Sequence, residues 1–283
     1  MSEAKKILVT GAGGYIGRHV VKTLLDMGAE VLAADIYTDL IDDRATLVRQ
    51  DIFSGDKDIF VKLGSPDVCL HMAWKDGFIH HSDAHMAYLS KHYEFLKNML
   101  DGGLKHIAVM GTMHEIGYYE GAIDENTPCN PISMYGIAKD ALRRSLMLLV
   151  DKKEITFQWL RAFYIYGDDK RNHSIFAKLI AAQEEGKKTF PFTTGKNKYD
   201  FIHVEELARL ISLSVLQDKV NGIINCCSGE PVSLAEKVES FIKEHDFKIK
   251  LEYGAYPDRP YDSPAVWGDN TKISMIVKNI REG

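Results

Sequence analysis

Tyr135 and Lys139 stand four residues apart in Tyr135-Gly136-Ile137-Ala138-Lys139, a segment patterned as a helix. That separation puts the phenol and the ammonium on one helical face, one above the other. A nearby cation favours phenolate, so the spacing implies a tyrosine whose pKa is drawn down from about 10. A phenol tuned this way can hand a proton to a carbonyl oxygen or take one from an alcohol. Tyr-x-x-x-Lys occurs by chance in many helices. It gains weight here from the pattern that opens the same chain.

Residues 5–10 read as a short apolar strand, followed at once by Gly11-Ala12-Gly13-Gly14-Tyr15-Ile16-Gly17. Val20, Val21, Leu24 and Leu25 then recur at helical spacing, and Gly28 closes that helix. Residues 30–34 form a second apolar strand ending on Asp35. Strand, glycine turn, helix, strand and acid is the order a dinucleotide requires. Gly11 permits the tight turn, Gly14 admits a pyrophosphate to the backbone, and Gly17 lets helix and strand pack closely. The helix N-terminus faces the phosphate charge. Asp35 would accept hydrogen bonds from the adenosine ribose and repel a 2′-phosphate, and Ile36 and Tyr37 follow it in place of an arginine. NAD is therefore expected over NADP, with Arg18 and Arg44 leaving NADP open. Gly11, Gly13, Gly14, Tyr15, Ile16, Gly17, Asp35 and Ile36 make up the expected cradle.

Two residues separate the first two functional glycines, Gly11 and Gly14. Thr10 to Gly17 thus resembles the Thr-Gly-x-x-Gly-aromatic-Ile-Gly opening of the extended short-chain dehydrogenase/reductases, the epimerase/dehydratase superfamily acting on nucleotide sugars. Four later segments extend the resemblance: Cys69-Leu70-His71-Met72-Ala73, Arg161 to Gly167, Phe201 to Ala208, and Asn225 to Glu230. It implies that Asp51 and Ile52 lie near adenine and that Met72, Ala73 and Phe163 lie along the cofactor. It also implies a hydroxyl residue just past the fifth strand. Thr112 follows Ile107-Ala108-Val109-Met110 and precedes Tyr135 by twenty-three residues. Gly111 departs from the family habit of two hydroxyl residues there.

By this resemblance Thr112 and Tyr135 hold a sugar oxygen, Tyr135 supplies the proton, and Lys139 binds the nicotinamide ribose and lowers the Tyr135 pKa. Related 4,6-dehydratases place Asp-Glu directly after this threonine, whereas Met113-His114 stands here and Glu115 is displaced by one residue. A dehydratase is disfavoured. The expected reaction is reduction of the 4-keto group of a nucleotide-diphosphate 4-keto-6-deoxyhexose. A 4-epimerase with tightly held NAD is the alternative, and a non-catalytic NAD(P)-sensing regulator the second. The short chain, with Trp74, Phe78 and Tyr88 adding bulk near the sugar, favours the reductase. Sugar-nucleotide contacts are expected from Trp74, Thr112, Met113, Asn172, Phe192, Arg259 and Asp262.

At 283 residues, with 45% hydrophobic and 27% charged residues, the chain can bury a sizeable core. Alternating strand and helix signals indicate an α/β fold, a doubly wound parallel sheet of Rossmann type with a smaller C-terminal substrate lobe. Residues 1–166 are assigned to the nucleotide domain, with 200–228 returning to it. Residues 167–199 and 229–283 are assigned to the sugar lobe. A net charge of −5 argues against nucleic acid as the main partner. No apolar stretch resembles a signal peptide or approaches the roughly 20 residues that span a bilayer. Four scattered cysteines suit a reducing cytoplasm. His80, His81 and His85 read as a solvated loop running into a helix rather than a metal site. A homodimer is expected through the helix of residues 133–150, although its Leu142, Leu146 and Leu149 suit an internal core equally well.

Overall fold

A computed structural model describes residues 4–167, 174–258 and 262–282. The first seven strands are β1 (Lys6–Thr10), β2 (Glu30–Ala34), β3 (Thr46–Leu47), β4 (Val68–His71), β5 (His106–Thr112), β6 (Gly121–Ile123) and β7 (Thr156–Ala162). The remainder are β8 (Tyr164–Tyr166), β9 (Thr189–Pro191), β10 (Lys198–His203), β11 (Gly222–Cys226), β12 (Pro231–Ser233), β13 (Lys250–Glu252) and β14 (Ala265–Gly268). The helices are α1 (Gly17–Asp26), α2 (Ile59–Lys62), α3 (Ala84–Asp101), α4 (Met134–Val150), α5 (Ile175–Glu184), α6 (Val204–Val215), α7 (Leu234–Glu244) and α8 (Thr271–Glu282).

Seven strands form one parallel sheet in the order β11-β7-β5-β4-β1-β2-β3. Strands such as Ile7-Leu8-Val9 and Val68-Cys69-Leu70 are unbroken apolar runs because helices cover both faces of the sheet. Helices α1, α6 and α8 close one face through Val20, Leu24, Leu207 and Ile211. Helices α2, α3 and α4 close the other through Ile59, Phe95, Leu96 and Leu146. Leu142 and Leu146 are buried core residues, which decides between the two roles open to them from sequence. The chain runs outward from β1 to β3, then returns to β4 and proceeds in the opposite direction. That reversal opens a crevice at the strand carboxyl ends between β1 and β4, where Rossmann folds receive ligands.

A second sheet has the order β12-β10-β14-β6, with β8 also on β10, and β9 pairs with β13. Helices α5 and α7 bury Phe176, Leu179, Phe192, Val238 and Phe241 beside it. The two regions interleave more than the sequence division suggests. Strand β6 belongs to the second sheet, and so does β10, which begins the returning segment. Helix α8 lies within the range assigned to the sugar lobe, yet Ile273 and Ile276 join the core of the seven-stranded sheet. An amphipathic helix settles where its apolar face finds cover, and α6 with β11 supplies it. No helix among the described residues is long and apolar enough to cross a membrane.

Two buried polar residues fasten the second sheet to the first. The Asp200 carboxylate accepts from the backbone N–H of Ser228 (2.9 Å), Gly229 (2.9 Å) and Gly268 (3.1 Å), and from the Ser228 hydroxyl. Asn225 donates to the carbonyls of Ile123 (2.7 Å) and Asp269 (3.1 Å). Their motif positions are thus structural. Replacing Asp200 by alanine would strand several buried donors and is expected to cost about 3 kcal/mol or more, read from urea unfolding midpoints.

Candidate functional site

The glycine loop is shaped by contact. Gly11 has φ +71°, and a Cβ there would lie 2.7 Å from the Ala73 nitrogen. A Cβ on Gly17 would meet the Gly11 carbonyl oxygen at 2.0 Å. The loop can therefore close only with glycine at both positions. Serine side chains cap α4, α5 and α7, but no side chain caps α1 and no acid sits in its first turn. The positive end of the α1 dipole is left facing the crevice, which fits a diphosphate. Asp35 follows β2 with its carboxylate accepting from the N–H groups of Gly13 and Tyr37, each at 2.9 Å. Ile36 is exposed beside it. Arg44 is engaged by Asp42 and Asp26 at 2.7 and 2.8 Å, which holds the Asp42 carboxyl down at about 2. Asp51 is exposed, and Ile52 packs on the α3 side of the core.

The Met72-Ala73 segment is locked to the loop by a buried chain of hydrogen bonds. The Thr10 hydroxyl accepts from the Met72 and Ala73 N–H groups, both at 3.2 Å. Its own proton is then available for His71 Nδ1 at 2.8 Å. His71 Nε2 donates in turn to His92 Nδ1 at 2.8 Å. Burial pushes both imidazoles far towards the neutral form, with the Lys139 charge a smaller cause.

Thr112 ends β5 and Tyr135 opens α4, whose N-cap Ser133 accepts from Gly136 N–H at 3.1 Å. Lys139, one turn further on, is buried, donates to the Met110 carbonyl at 2.7 Å and lies 3.8 Å from the Trp74 ring centre. The tuning expected from sequence is corrected here. Burial raises the Tyr135 phenol above its ordinary value, against a smaller pull from its hydrogen bond with Thr112. Burial also lowers Lys139 from 10.5 to about 7, opposed by the Glu115 charge. The ammonium is 5.9 Å from the Tyr135 ring centre and spends its hydrogen bond on the backbone, so desolvation outweighs the cation–phenol attraction.

Glu115 turns into the core behind Thr112 and is fully buried. Its carboxylate accepts from Thr112 N–H at 2.7 Å and from the Trp159 indole at 2.8 and 3.0 Å. Arg143 Nε and Arg161 Nη2 lie 3.5 and 3.6 Å from it. Gly111 now has a reason. A Cβ at that position would sit 2.2 Å from Trp159 Nε1, so the indole occupies the space a second hydroxyl side chain would need.

The histidines depart most from the sequence reading. His85 is buried, accepts from the Trp74 indole at 3.0 Å and bonds the Ile79 carbonyl. His80 lies nearly parallel to the Tyr135 ring at 5.3 Å, and its carbonyl accepts from Tyr135 N–H at 3.0 Å. A loop expected in solvent instead packs on α4, because Trp74 and Tyr135 offer ring faces to cover. Nothing in the spacing signalled this, since the rings come from separate segments. His81 alone stays exposed.

A cleft of about 610 Å³ begins at Met113, His114, Ser133 and His80 and runs into the second lobe past Phe190, Tyr256 and Asp262. Phe192 forms part of its wall, although its side chain is buried in the α5–α7 core. Trp74 lies behind Tyr135, stacked on His92 at 4.3 Å. Tyr88 packs on Phe53, and Phe78 on Tyr15. Phe163 is buried between the sheets. Asn172 and Arg259 lie outside the described residues.

Gly111→Ser is expected to clash with Trp159 and lower stability by about 1–3 kcal/mol, measured by urea denaturation. Lys139 carries a pH signature. Its folded pKa is depressed, so between about 7 and 10.5 the unfolded chain binds a proton that the folded chain lacks. Stability from this residue therefore rises with pH across that window. Lys139→Met should stabilise the protein most below about pH 7, the gain shrinking towards pH 10, as read from unfolding midpoints along a pH series.

The chain is 45% identical over 272 residues to a dTDP-6-deoxy-L-talose 4-dehydrogenase (NAD(+)) from Aggregatibacter actinomycetemcomitans, covering 93% of this chain and 98% of that one. It is 26% identical to a putative UDP-glucose 4-epimerase of Methanocaldococcus jannaschii, covering 96% and 90%. Its fold matches a UDP-N-acetylglucosamine 4-epimerase from Methanobrevibacter ruminantium M1 with a TM-score of 0.83, at 20% identity and 97% and 92% coverage. The sequence model of the NAD dependent epimerase/dehydratase family matches residues 7–227, and the chain belongs to that family.

Proposed function

We propose that the protein is an NAD-dependent oxidoreductase acting at C4 of a nucleotide-diphosphate 6-deoxyhexose, reducing the 4-keto group and catalysing the reverse oxidation. The observation that supports this is that Thr112 and Tyr135 meet near buried Lys139, and that their chain neighbours Met113, His114 and Ser133 line a cleft of about 610 Å³. The 45% identical relative, named for a dTDP-linked 6-deoxysugar, makes dTDP the first nucleotide to test.

NAD, held by the α1 N-terminus, the glycine loop and Asp35, would supply the hydride acceptor, or as NADH the donor. Asp35 favours NAD over NADP, and Arg44 is neutralised by two carboxylates rather than offered to a 2′-phosphate. Thr112 and Tyr135 donate to the sugar O4 as it gains alkoxide character, which stabilises the transition state more than the ground state. Tyr135 then gives up its proton. Its raised pKa keeps the phenol protonated at neutral pH, the form a reduction needs. Lys139, near neutrality itself, stands behind it as the adjacent titrating group. Elimination of water is disfavoured because Met113 offers no acid and the Glu115 carboxylate faces the core.

The test is to mix the protein with NADH and a dTDP-4-keto-6-deoxyhexose and follow nicotinamide absorbance. Turnover is expected, with Tyr135→Phe slower by about 100-fold or more while still binding NADH. A folded, NADH-binding wild type that oxidises none would sink the reading. Stoichiometric NAD released on denaturation, with no net redox, would favour a 4-epimerase. For the homodimer, α4 presents exposed Ile137, Met147 and Leu148 as the proposed contact.

A further inference from the structure

Two imidazoles at the head of the cleft find no hydrogen-bond partner among the described residues. The fully buried histidines near the site are committed: His85 to Trp74 and Ile79, His71 to Thr10 and His92. His80 and His114 differ. Their rings meet edge to face with centres 4.3 Å apart, and they lie 5.3 and 6.1 Å from the Tyr135 ring. Both line the cleft. Neither side chain makes a hydrogen bond to any described residue; the bonds recorded for these residues are made by the His80 carbonyl and the His114 N–H.

We propose that His80 and His114 form a subsite that grips the sugar hydroxyl on the carbon next to C4, the 3-hydroxyl. This deepens the proposed reaction and rests on it. If Tyr135 and Thr112 engage O4, the polar groups flanking the Tyr135 ring face its neighbours on the sugar. A secondary alcohol is one donor and two acceptors, and a neutral imidazole is one donor and one acceptor, so a pair can satisfy such a hydroxyl from two sides. The uncharged state is maintained by burial, which brings His114 down to about 4 and lowers His80 as well. Met113 beside them is apolar and the Ser133 oxygen is engaged as the α4 N-cap, so the imidazoles supply polar recognition at this end of the cleft. A site built to hydrogen-bond a hydroxyl discriminates strongly against an analogue lacking it, because its own polar groups are then left unpaired.

The test is calorimetric binding, with NAD present, of a dTDP-linked 6-deoxyhexose and the same compound lacking the 3-hydroxyl. Wild type should bind the hydroxylated sugar about tenfold more tightly or better. His80→Phe keeps a ring on Tyr135 and His114→Phe fills the same space, and each should bind the two sugars nearly equally. His114→Asn, which restores a short donor and acceptor, should recover part of the preference. Circular dichroism and NADH binding confirm that each variant is folded. Equal binding of both sugars by wild type would overturn the subsite, and so would a preference that survives in both phenylalanine variants. If wild type binds neither sugar and fails the NADH assay above, the reaction itself is wrong and the subsite falls with it. Turnover without discrimination sinks the subsite alone.

Discussion

A carboxylate shut away from water persists only where donors and opposite charges surround it, and Glu115 is placed in that way. The Thr112 N–H, the Trp159 indole and two guanidinium groups converge on it. Those partners belong to β5, β7 and α4, so one buried charge joins the end of the strand that carries Thr112 to the helix that carries Tyr135 and Lys139. Arg161 continues outward to the Asp124 carbonyl at 3.1 Å and to Asn225, which holds Ile123 and Asp269 in turn. Thr112, Tyr135 and the strands of the second sheet are therefore fastened to the same interaction.

The chemistry of the site follows from what that framework buries. Tyr135 and Lys139 are desolvated together, and desolvation favours the neutral form of each. The phenol rises and the ammonium falls, so their working relation is one of shared exclusion from water. Trp74 covers the lysine on one side while stacking on His92, and His92 completes the hydrogen-bonded run back to Thr10. The glycine loop and the Tyr135–Lys139 pair are in this way parts of one packed layer at the carboxyl end of the sheet.

Much of this was readable along the chain because it depends on local spacing. The glycine loop, Asp35, the α4 pair and the strands around them are dictated by steric need within a few residues or by the period of one helix. A Cβ at Gly17 collides with Gly11 whatever the rest of the molecule does. Other residues were visible but misread. The expectation that Lys139 would acidify Tyr135 came from their separation on a helix, which carries no information about depth. The histidine segment looked solvated because its polar composition suits a loop, and only the ring faces of Trp74 and Tyr135 draw it inward.

The sequence by itself determined the family and the dinucleotide fold, since both rest on periodicity and on glycine sterics over short stretches. Tertiary structure alone decided that Trp159 fills the space above Gly111, that Glu115 faces the core, that α8 packs into the core of the seven-stranded sheet, and that His80 meets His114 at the cleft. Each of those outcomes depends on segments far apart in the chain competing for the same volume and the same shelter from water. Such competition has no period and leaves no trace in residue order.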